Sequence, residues 1–193
     1  MKSFFRKVRH QAITKNLLIP KGALVLDTSC QDGGFLSVLT KNNADKNLKL
    51  FGVDISESDI SKAKNLVPEG IFEITDNKTL TFADKTFDIV ISSLTLHHMN
   101  NPMSSLLEMK RVIKSTGSIY LIDIMAEGKL FNSILKKIKC PEPYHFEKFY
   151  SIKEVEELIV KAGLRINAKK KVFVFPTFTI TAPVSILELQ IQE

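Results

Sequence analysis

Short runs of apolar residues alternate along this chain with segments in which apolar residues recur every three or four positions. The short runs predict β-strands, and the segments between them predict helices that bury one face. The predicted strands span 23–27, 48–54, 71–75, 87–93, 118–124, 164–175 and 184–191. The fourth run is apolar on both faces, which is typical of a central strand in a parallel sheet.

Polar residues at fixed positions mark where the predicted helices begin and end. Ser and Asn before apolar-periodic segments predict helix starts, a following Pro suits the first helical position, and Gly after such a segment predicts a stop. These signals are Ser56 with Asp59, Asn101 with Pro102, Ser151 with Glu154, and Gly163. Thr116 and Gly117 predict a turn before the fifth strand. Among the apolar residues, Leu66 and Leu107 are expected to face the core.

The two ends of the chain extend this pattern. Phe4, Phe5, Val8, Ala12 and Ile13 recur at near-helical spacing, so an amphipathic helix is expected within residues 1–19. The last two strands have no helix between them and are expected to be antiparallel. The sequence therefore predicts one α/β domain over residues 1–193, a Rossmann-like doubly wound, mostly parallel seven-stranded sheet with a C-terminal antiparallel β-hairpin.

Composition agrees with a globular protein, since 44% of the residues are apolar and 25% are charged. The chain has 2 cysteines, Cys30 and Cys140, which predicts free thiols and a cytoplasmic setting. The basic N-terminus lacks the apolar core of a signal peptide. The apolar stretch from Val172 to Leu187 contains Pro176, Pro183 and several hydroxyl residues, so no membrane span is expected.

The net charge of +6 is concentrated in two segments. Every charged residue before Asp27 is basic, and Lys169, Lys170 and Lys171 form a later run. Such clusters can bind nucleic acid, but a solvated face of a basic protein is the favoured interpretation.

Acidic residues end three successive predicted strands, at Asp27, Asp54 and Asp76. In open α/β sheets, ligands bind at the carboxyl ends of the strands near the topological switch point. The turn after the first strand has Ser29, Gln31 and Gly33 where a dinucleotide-binding turn has three glycines. Its carboxylates, Asp27 and Asp32, would repel a pyrophosphate and attract an ammonium or sulfonium group. The pattern favours a cationic ligand.

The other strand ends suit a nucleoside. Asp54 is placed to accept hydrogen bonds from both hydroxyls of a ribose, and Ile55 could lie on an adenine face. Asp76 and the backbone of Asn77 could bind the adenine edge. Taken one at a time, each Asp is equally well explained as a turn former or helix cap.

The chain resembles the class I S-adenosylmethionine-dependent methyltransferases, in particular the methyltransferase type 11 group that includes ubiquinone and menaquinone biosynthesis enzymes. The segments that carry the likeness are VLDTSCQDG, FGVDISESDISKAK, DNKTLTFADKTFDIVISSLTLHHM and LLEMKRVIKSTGSIYLID. A weaker similarity is found in HFEKFYSIKEVEELIVKAGL. Together they span about Leu18 to Arg165.

The resemblance implies S-adenosylmethionine as cofactor, S-adenosylhomocysteine as product and a small-molecule methyl acceptor. It also implies a cofactor site in which Asp27 orients the methionine ammonium, Asp54 holds the ribose, and Ser92 offers its carbonyl to the methionine end. The implied cofactor-binding residues are Asp27, Ser29, Cys30, Gln31, Gly33, Asp54, Ile55, Asp76, Asn77 and Ser92.

An insert over residues 125–150 would form a lid above the acceptor site, and the candidate catalytic residues are His97, His98, Tyr144 and His145. Packing or loop capping explains the two adjacent histidines equally well, and the aromatics of the insert could simply pack it onto the sheet. Cys140 and His145 are too few for a metal site.

The turn departs from the family at Ser29 and Gln31, where glycine is usual. Because a Cβ there would crowd the cofactor, two interpretations stay open: an active methyltransferase with an adapted turn, or a methyltransferase-fold protein that serves as a binding or partner subunit. A nucleic-acid methyltransferase is disfavoured, because the length leaves no room for a separate nucleic-acid-binding module.

Overall fold

A computed structural model describes residues 2–75, 78–99, 101–125, 150–173 and 184–192. The helices are α1 (Lys2–Thr14), α2 (Gly34–Asn42), α3 (Glu57–Leu66), α4 (Pro102–Val112) and α5 (Ile152–Lys161). The strands are β1 (Leu24–Asp27), β2 (Lys49–Asp54), β3 (Ile71–Ile74), β4 (Phe87–Ser93), β5 (Ile113–Asp123), β6 (Leu164–Val172) and β7 (Val184–Ile191). Strands and helices alternate as the apolar pattern predicts.

The strands form one seven-stranded sheet in the order β3-β2-β1-β4-β5-β7-β6. The first five strands are parallel, whereas β7 pairs antiparallel with both β5 and β6. This confirms the predicted fold class, including the antiparallel C-terminal pair. The chain order reverses between β1 and β4, so their carboxyl ends flank the switch point at which such sheets bind ligands.

Helices cover both faces of the sheet. On one face, Ile13 of α1, Phe35 of α2 and Ile60 of α3 share a buried cluster. On the other face, Met109 of α4 and Val155 of α5 belong to a second cluster. The inner strands β1, β4 and β5 contribute residues to both clusters and so lie between two apolar layers, which fixes the positions of their ends.

The helix termini follow the predicted signals with one exception. Ser151 and Glu154 form a reciprocal capping box, and Ser56 accepts from the Asp59 backbone N–H at 3.3 Å. Gly163 has a φ of +69° directly after α5, which favours glycine as the helix stop. Asn101 precedes α4, but its side chain makes no capping hydrogen bond.

Several predicted details are wrong. The turn predicted at Thr116 and Gly117 lies inside β5, which begins at Ile113 because Ile113 pairs with Phe87 before a bulge in the register. Leu66 and Leu107 are 49% and 48% exposed, because each lies on the helix side turned away from the sheet. The N-terminal helix, in contrast, agrees with the prediction, because it ends at Thr14, within residues 1–19.

The predicted insert over residues 125–150 lies outside the described residues except for Met125 and Tyr150. None of the described helices has the length and apolar character needed to cross a bilayer.

Candidate functional site

Backbone hydrogen bonds fix the turn after β1 to the two neighbouring strands. Thr28 donates its N–H to the Ile91 carbonyl of β4 at 2.9 Å, and Cys30 donates to the Val53 carbonyl of β2 at 2.9 Å. The Ser29 N–H binds the Asp27 carboxylate at Oδ1, 3.1 Å away. The turn therefore lies across the carboxyl ends of β2 and β4, with Asp27 behind it.

Asp27 is a buried carboxyl group with one unsatisfied oxygen. Its residue is 1% exposed, and among the described residues none donates a hydrogen bond to Oδ2. Burial raises the pKa of Asp27 to about 7, the Ser29 N–H lowers it, and the Asp54 carboxylate raises it further. A buried acceptor without a donor is costly unless a ligand or water satisfies it, so Asp27 is suited to a ligand that brings a donor.

Gln31 adopts the left-handed backbone conformation, with a φ of 48°. Its N–H donates to Asp54 Oδ2 at 2.9 Å, and the Ser56 N–H donates to Asp54 Oδ1 at 3.0 Å. Each carboxylate oxygen has a second lone pair available. Asp54 thus fixes the turn to β2 while keeping acceptor capacity toward solvent, and the adjacent Ile55 is 72% exposed.

Gly33 is required by both backbone conformation and space. Its φ is +76°, and a Cβ built there would lie 3.0 Å from the Ala63 Cα of α3. Any side chain would push α2 away from α3. The glycine that the turn retains is therefore the one that sets helix packing.

Cys30 packs beneath the turn. The residue is 3% exposed. Burial raises the pKa of its thiol, and the nearby carboxylates of Asp27 and Asp54 raise it further. A Cβ at Gly52 would come within 2.8 Å of its sulfur. Cys30 is thus an apolar spacer with an unreactive thiol.

The inner face of α1 closes the turn from above, a feature that no local signal in the sequence indicated. Arg6 binds Asp32 Oδ2 at 2.5 Å, so Asp32 is neutralised within the chain and does not act as a second acid for a cationic ligand. His10 packs edge-on against Phe35, with the ring centroids 5.4 Å apart. Burial lowers the pKa of His10 to about 4, with the nearby charges of Arg9 and Arg6 contributing, so the ring is neutral at pH 7.

A narrow cavity of about 20 Å³, close to the space that one water molecule needs, lies between α1 and the turn. Its wall contains Asp27, Ser29, Cys30 and Gln31 from the predicted site, with Arg9, His10, Asp32, Phe35, Ser93 and Leu94. Ser93 and Leu94 line it, whereas Ser92 is fully buried and its hydroxyl finds no partner in the described part of the chain. Leu94 has a φ of 57°, an unfavourable conformation for a branched residue.

His97 forms a buried pair with Asp123, which was not among the residues predicted from the sequence. Its Nδ1 lies 2.7 Å from Asp123 Oδ1, and its N–H donates to Asp123 Oδ2 at 3.3 Å. The His98 ring lies beside it, with centroids 4.1 Å apart. Asp123 ends β5 as Asp27 ends β1, so extending the strand-end rule to the fifth strand would have found it. The geometry orients the His97 ring through a carboxylate.

Four predicted site residues, Asp76, Asn77, Tyr144 and His145, lie outside the described residues. Tyr150, at the end of the predicted lid, donates its hydroxyl to the Met99 carbonyl at 3.4 Å. No cluster of metal-ligating side chains is found within the described ranges.

Comparisons with known proteins agree with this geometry. A family profile described as "Methyltransferase domain" matches residues 26–121, from β1 to β5. A 2-methyl-6-phytyl-1,4-hydroquinone methyltransferase of Synechocystis is 32% identical over 108 residues, covering 54% of this chain and 33% of that protein. The human mitochondrial arginine-hydroxylase NDUFAF5 is 25% identical over 72% of this chain and 41% of its own length.

The chain spans less than half the length of these two relatives. Among solved structures, a SAM-dependent methyltransferase from Aquifex aeolicus superposes with a TM-score of 0.71 at 20% identity, covering 93% of this chain and 88% of that one. That likeness concerns the fold. Taken with the profile match and the strand-end carboxylates, it identifies the chain as a member of the S-adenosylmethionine-dependent methyltransferases.

Proposed function

We propose that this chain binds S-adenosylmethionine at the carboxyl ends of β1 and β2 and transfers its methyl group to a small-molecule acceptor. The observation that carries the proposal is the Asp27 carboxyl group, buried at 1% exposure with one oxygen that accepts no hydrogen bond from the described residues. An ammonium donor, direct or through water, supplies that missing partner and favours the charged carboxylate.

Asp54 and Ile55 support the nucleoside half of the site. The Asp54 oxygens already accept from Gln31 and Ser56 and can each accept once more, which suits a ribose diol. The 72% exposed Ile55 side chain offers an apolar surface for an adenine ring. The adenine contacts predicted for Asp76 and Asn77 remain predictions.

The inner face of α1 supports the methionine end. Arg9 lines the cavity beside Asp27, and a guanidinium is the side chain best suited to a carboxylate such as that of methionine. The cavity measures about 20 Å³, so we expect residues that line it to rearrange when the cofactor binds.

The pair of His97 and Asp123 suits the acceptor side. S-adenosylmethionine supplies an electrophilic methyl group when bound, and a hydroxyl or amine acceptor must lose a proton as it is methylated. Asp123 orients the His97 ring through Nδ1, so His97 is the candidate base for that proton. Tyr144 and His145 remain candidate acceptor contacts on the predicted 125–150 lid.

A second candidate function is a methyltransferase-fold protein that acts as a partner subunit. The small cavity and the strained Gln31, with its φ of 48°, favour it. The human relative named an arginine-hydroxylase illustrates that proteins similar to this one carry out other chemistry. Asp27 favours the enzyme, because a buried carboxyl without a donor costs stability that a site without a ligand has no reason to retain. A cytoplasmic location stays a prediction.

Isothermal titration calorimetry with S-adenosylmethionine and S-adenosylhomocysteine tests the cofactor site. We expect both to bind, and Asp54→Asn to weaken each about tenfold or more, because hydrogen bonds to a charged group contribute about 1.5 to 3 kcal/mol. Asp45→Asn, at an exposed carboxylate outside the sheet, is the matched control. Absence of heat and of any thermal shift at millimolar ligand would leave the partner-subunit hypothesis.

The acceptor class has its own test. Incubation with S-adenosylmethionine labelled in the methyl group and with hydroquinones, the class named for the Synechocystis relative, should give label in an organic extract. Label that appears only with added nucleic acid would contradict a small-molecule acceptor.

A further inference from the structure

Helix α1 has an outer face that the sheet does not use. Phe4 and Val8 are 67% and 38% exposed, and Lys7 and Gln11 are exposed on the same side. In a helix these four positions fall within an arc of about 100°. The N-terminal helix was expected to bury its apolar residues, yet two of them point away from the core.

The opposite face of α1 holds this orientation. Arg6 binds Asp32 at 2.5 Å, His10 packs against Phe35, and Ile13 is completely buried. These residues alternate with the outer ones at helical spacing, so exposing Phe4 follows from burying Ile13. The outer apolar residues are displayed by a well-anchored helix.

The chain after α1 extends the same surface. Both backbone polar groups of Leu18 bind the Tyr120 hydroxyl, and its side chain is 70% exposed. Lys170 of β6 donates to the Asn16 carbonyl at 3.0 Å, which brings this lysine to the end of α1, whereas Lys169 binds Glu156 of α5. We name this surface the basic apolar face: Phe4, Lys7, Val8, Lys15, Leu18 and Lys170.

Its charge is of one sign. The first acidic residue of the chain is Asp27, so α1 and the segment after it have none. Helix α5, on the other side of the sheet, also exposes an apolar residue, Val160 at 63%, but there Glu154, Glu156 and Glu157 are interspersed with lysines. Of these two helices, only α1 combines exposed apolar residues with lysines and has no acidic residue of its own.

We propose that the basic apolar face docks on an anionic lipid surface. Lysines beside anionic headgroups and apolar side chains inserted at the acyl boundary are the two contributions that hold interfacial helices. Nucleic acid would use the lysines but leave Phe4, Val8 and Leu18 in water, so lipid satisfies more of the surface. The inference does not depend on methyl transfer, since it uses only the outer face.

Co-sedimentation with vesicles tests the proposal. The full chain should sediment with vesicles made of equal parts phosphatidylcholine and phosphatidylglycerol, and not with phosphatidylcholine alone. Each lysine near such a surface contributes about fivefold in partitioning, so Lys7→Gln with Lys15→Gln should reduce binding about 25-fold. Phe4→Ser should reduce it about tenfold. Matched controls on α5, Lys153→Gln with Lys161→Gln and Val160→Ser, should leave binding unchanged.

A fluorescence experiment keeps the test independent of folding defects. The chain has no tryptophan, so Phe4→Trp introduces a single reporter that preserves the apolar face. Its emission should shift to shorter wavelength with the mixed vesicles, while Val160→Trp should not respond. The proposal would be overturned by any of three results. The emission of Phe4→Trp does not shift with vesicles, the α5 control variants lose as much vesicle binding as the α1 variants, or the chain binds an oligonucleotide that added vesicles do not displace.

Discussion

The carboxyl groups of Asp27 and Asp123 end two parallel strands of one sheet and are equally buried, at 1% exposure, yet they are used differently. Asp123 accepts the Ile124 N–H at 2.6 Å and binds His97 through both oxygens. Asp27 accepts one N–H, from Ser29, and its other oxygen has no donor among the described residues.

The difference separates structural from binding carboxylates. Asp123 has its partners within the chain, so it stabilises the loop after β4 and orients His97. Asp27 lacks them, and burial raises its pKa to about 7. An unsatisfied buried carboxyl at a switch point is the property that a ligand site requires.

Removing Asp123 should have the largest effect on stability. Asp123→Ala leaves His97 Nδ1 and the backbone N–H groups of His97 and Ile124 without their acceptor, and each buried group left unsatisfied costs about 1 to 3 kcal/mol of unfolding free energy. Urea denaturation measures it. Asp123→Asn, which retains an acceptor oxygen, should lose less; equal stability of Asp123→Ala and the wild type would show that the pair is not structural.

Asp27→Asn should instead stabilise the ligand-free chain at high pH. Because the folded pKa of Asp27, about 7, lies above its usual value, the folded state binds the proton more tightly. Stability from this group is therefore lost as the pH rises from about 4 to 7, by about 4 kcal/mol. At pH 8, Asp27→Asn should be more stable than the wild type by an amount of that order.

His10 provides the control for this pH dependence. Its folded pKa of about 4 lies below its usual value, so stability rises with pH between about 4 and 6.5, opposite to Asp27. The two slopes offset each other in the wild type. In Asp27→Asn the unfolding free energy should rise with pH between about 4 and 6.5, and in His10→Gln it should fall between about 4 and 7. If the two variants had parallel pH profiles of unfolding free energy, the pKa shifts assigned to Asp27 and His10 would be wrong.

Cofactor affinity should depend on pH through Asp27. Below pH 7 the carboxyl group is protonated, and an ammonium ligand must displace that proton. S-adenosylhomocysteine should therefore bind about tenfold more weakly for each pH unit below 7, and Asp27→Asn should bind weakly with no such dependence. Calorimetry in two buffers of different ionisation enthalpy would detect the proton release, whose absence would place the ammonium elsewhere.

The sequence predicted the strand ends because apolar runs and terminal acids are local features. Asp27 and Asp54 were identified that way, and Asp123 was missed only because the same rule was not extended to the fifth strand. Leu66 and Leu107 were misassigned because several residues of one helix satisfy the same periodicity, and the sheet selects among them. The contacts of Arg6 and His10 depend on where α1 docks, which no spacing within α1 encodes.

The smallest effect concerns Gln31, where glycine is usual in the family. Its φ of 48° costs about 1 kcal/mol for a residue with a Cβ, and the residue lines the cavity beside Asp27. Gln31→Gly removes both the strain and the side chain but adds chain entropy to the unfolded state. We therefore expect little change in the unfolding free energy, with S-adenosylmethionine binding tightened up to about tenfold.

Lys85→Gly, at a φ of 52° in a turn outside the cavity, is the matched control that relieves strain alone. Tighter binding in Gln31→Gly but not in Lys85→Gly would attribute the gain to room in the cavity. Unchanged affinity would mean that Gln31 already points away from the cofactor, and that this turn functions without the glycine.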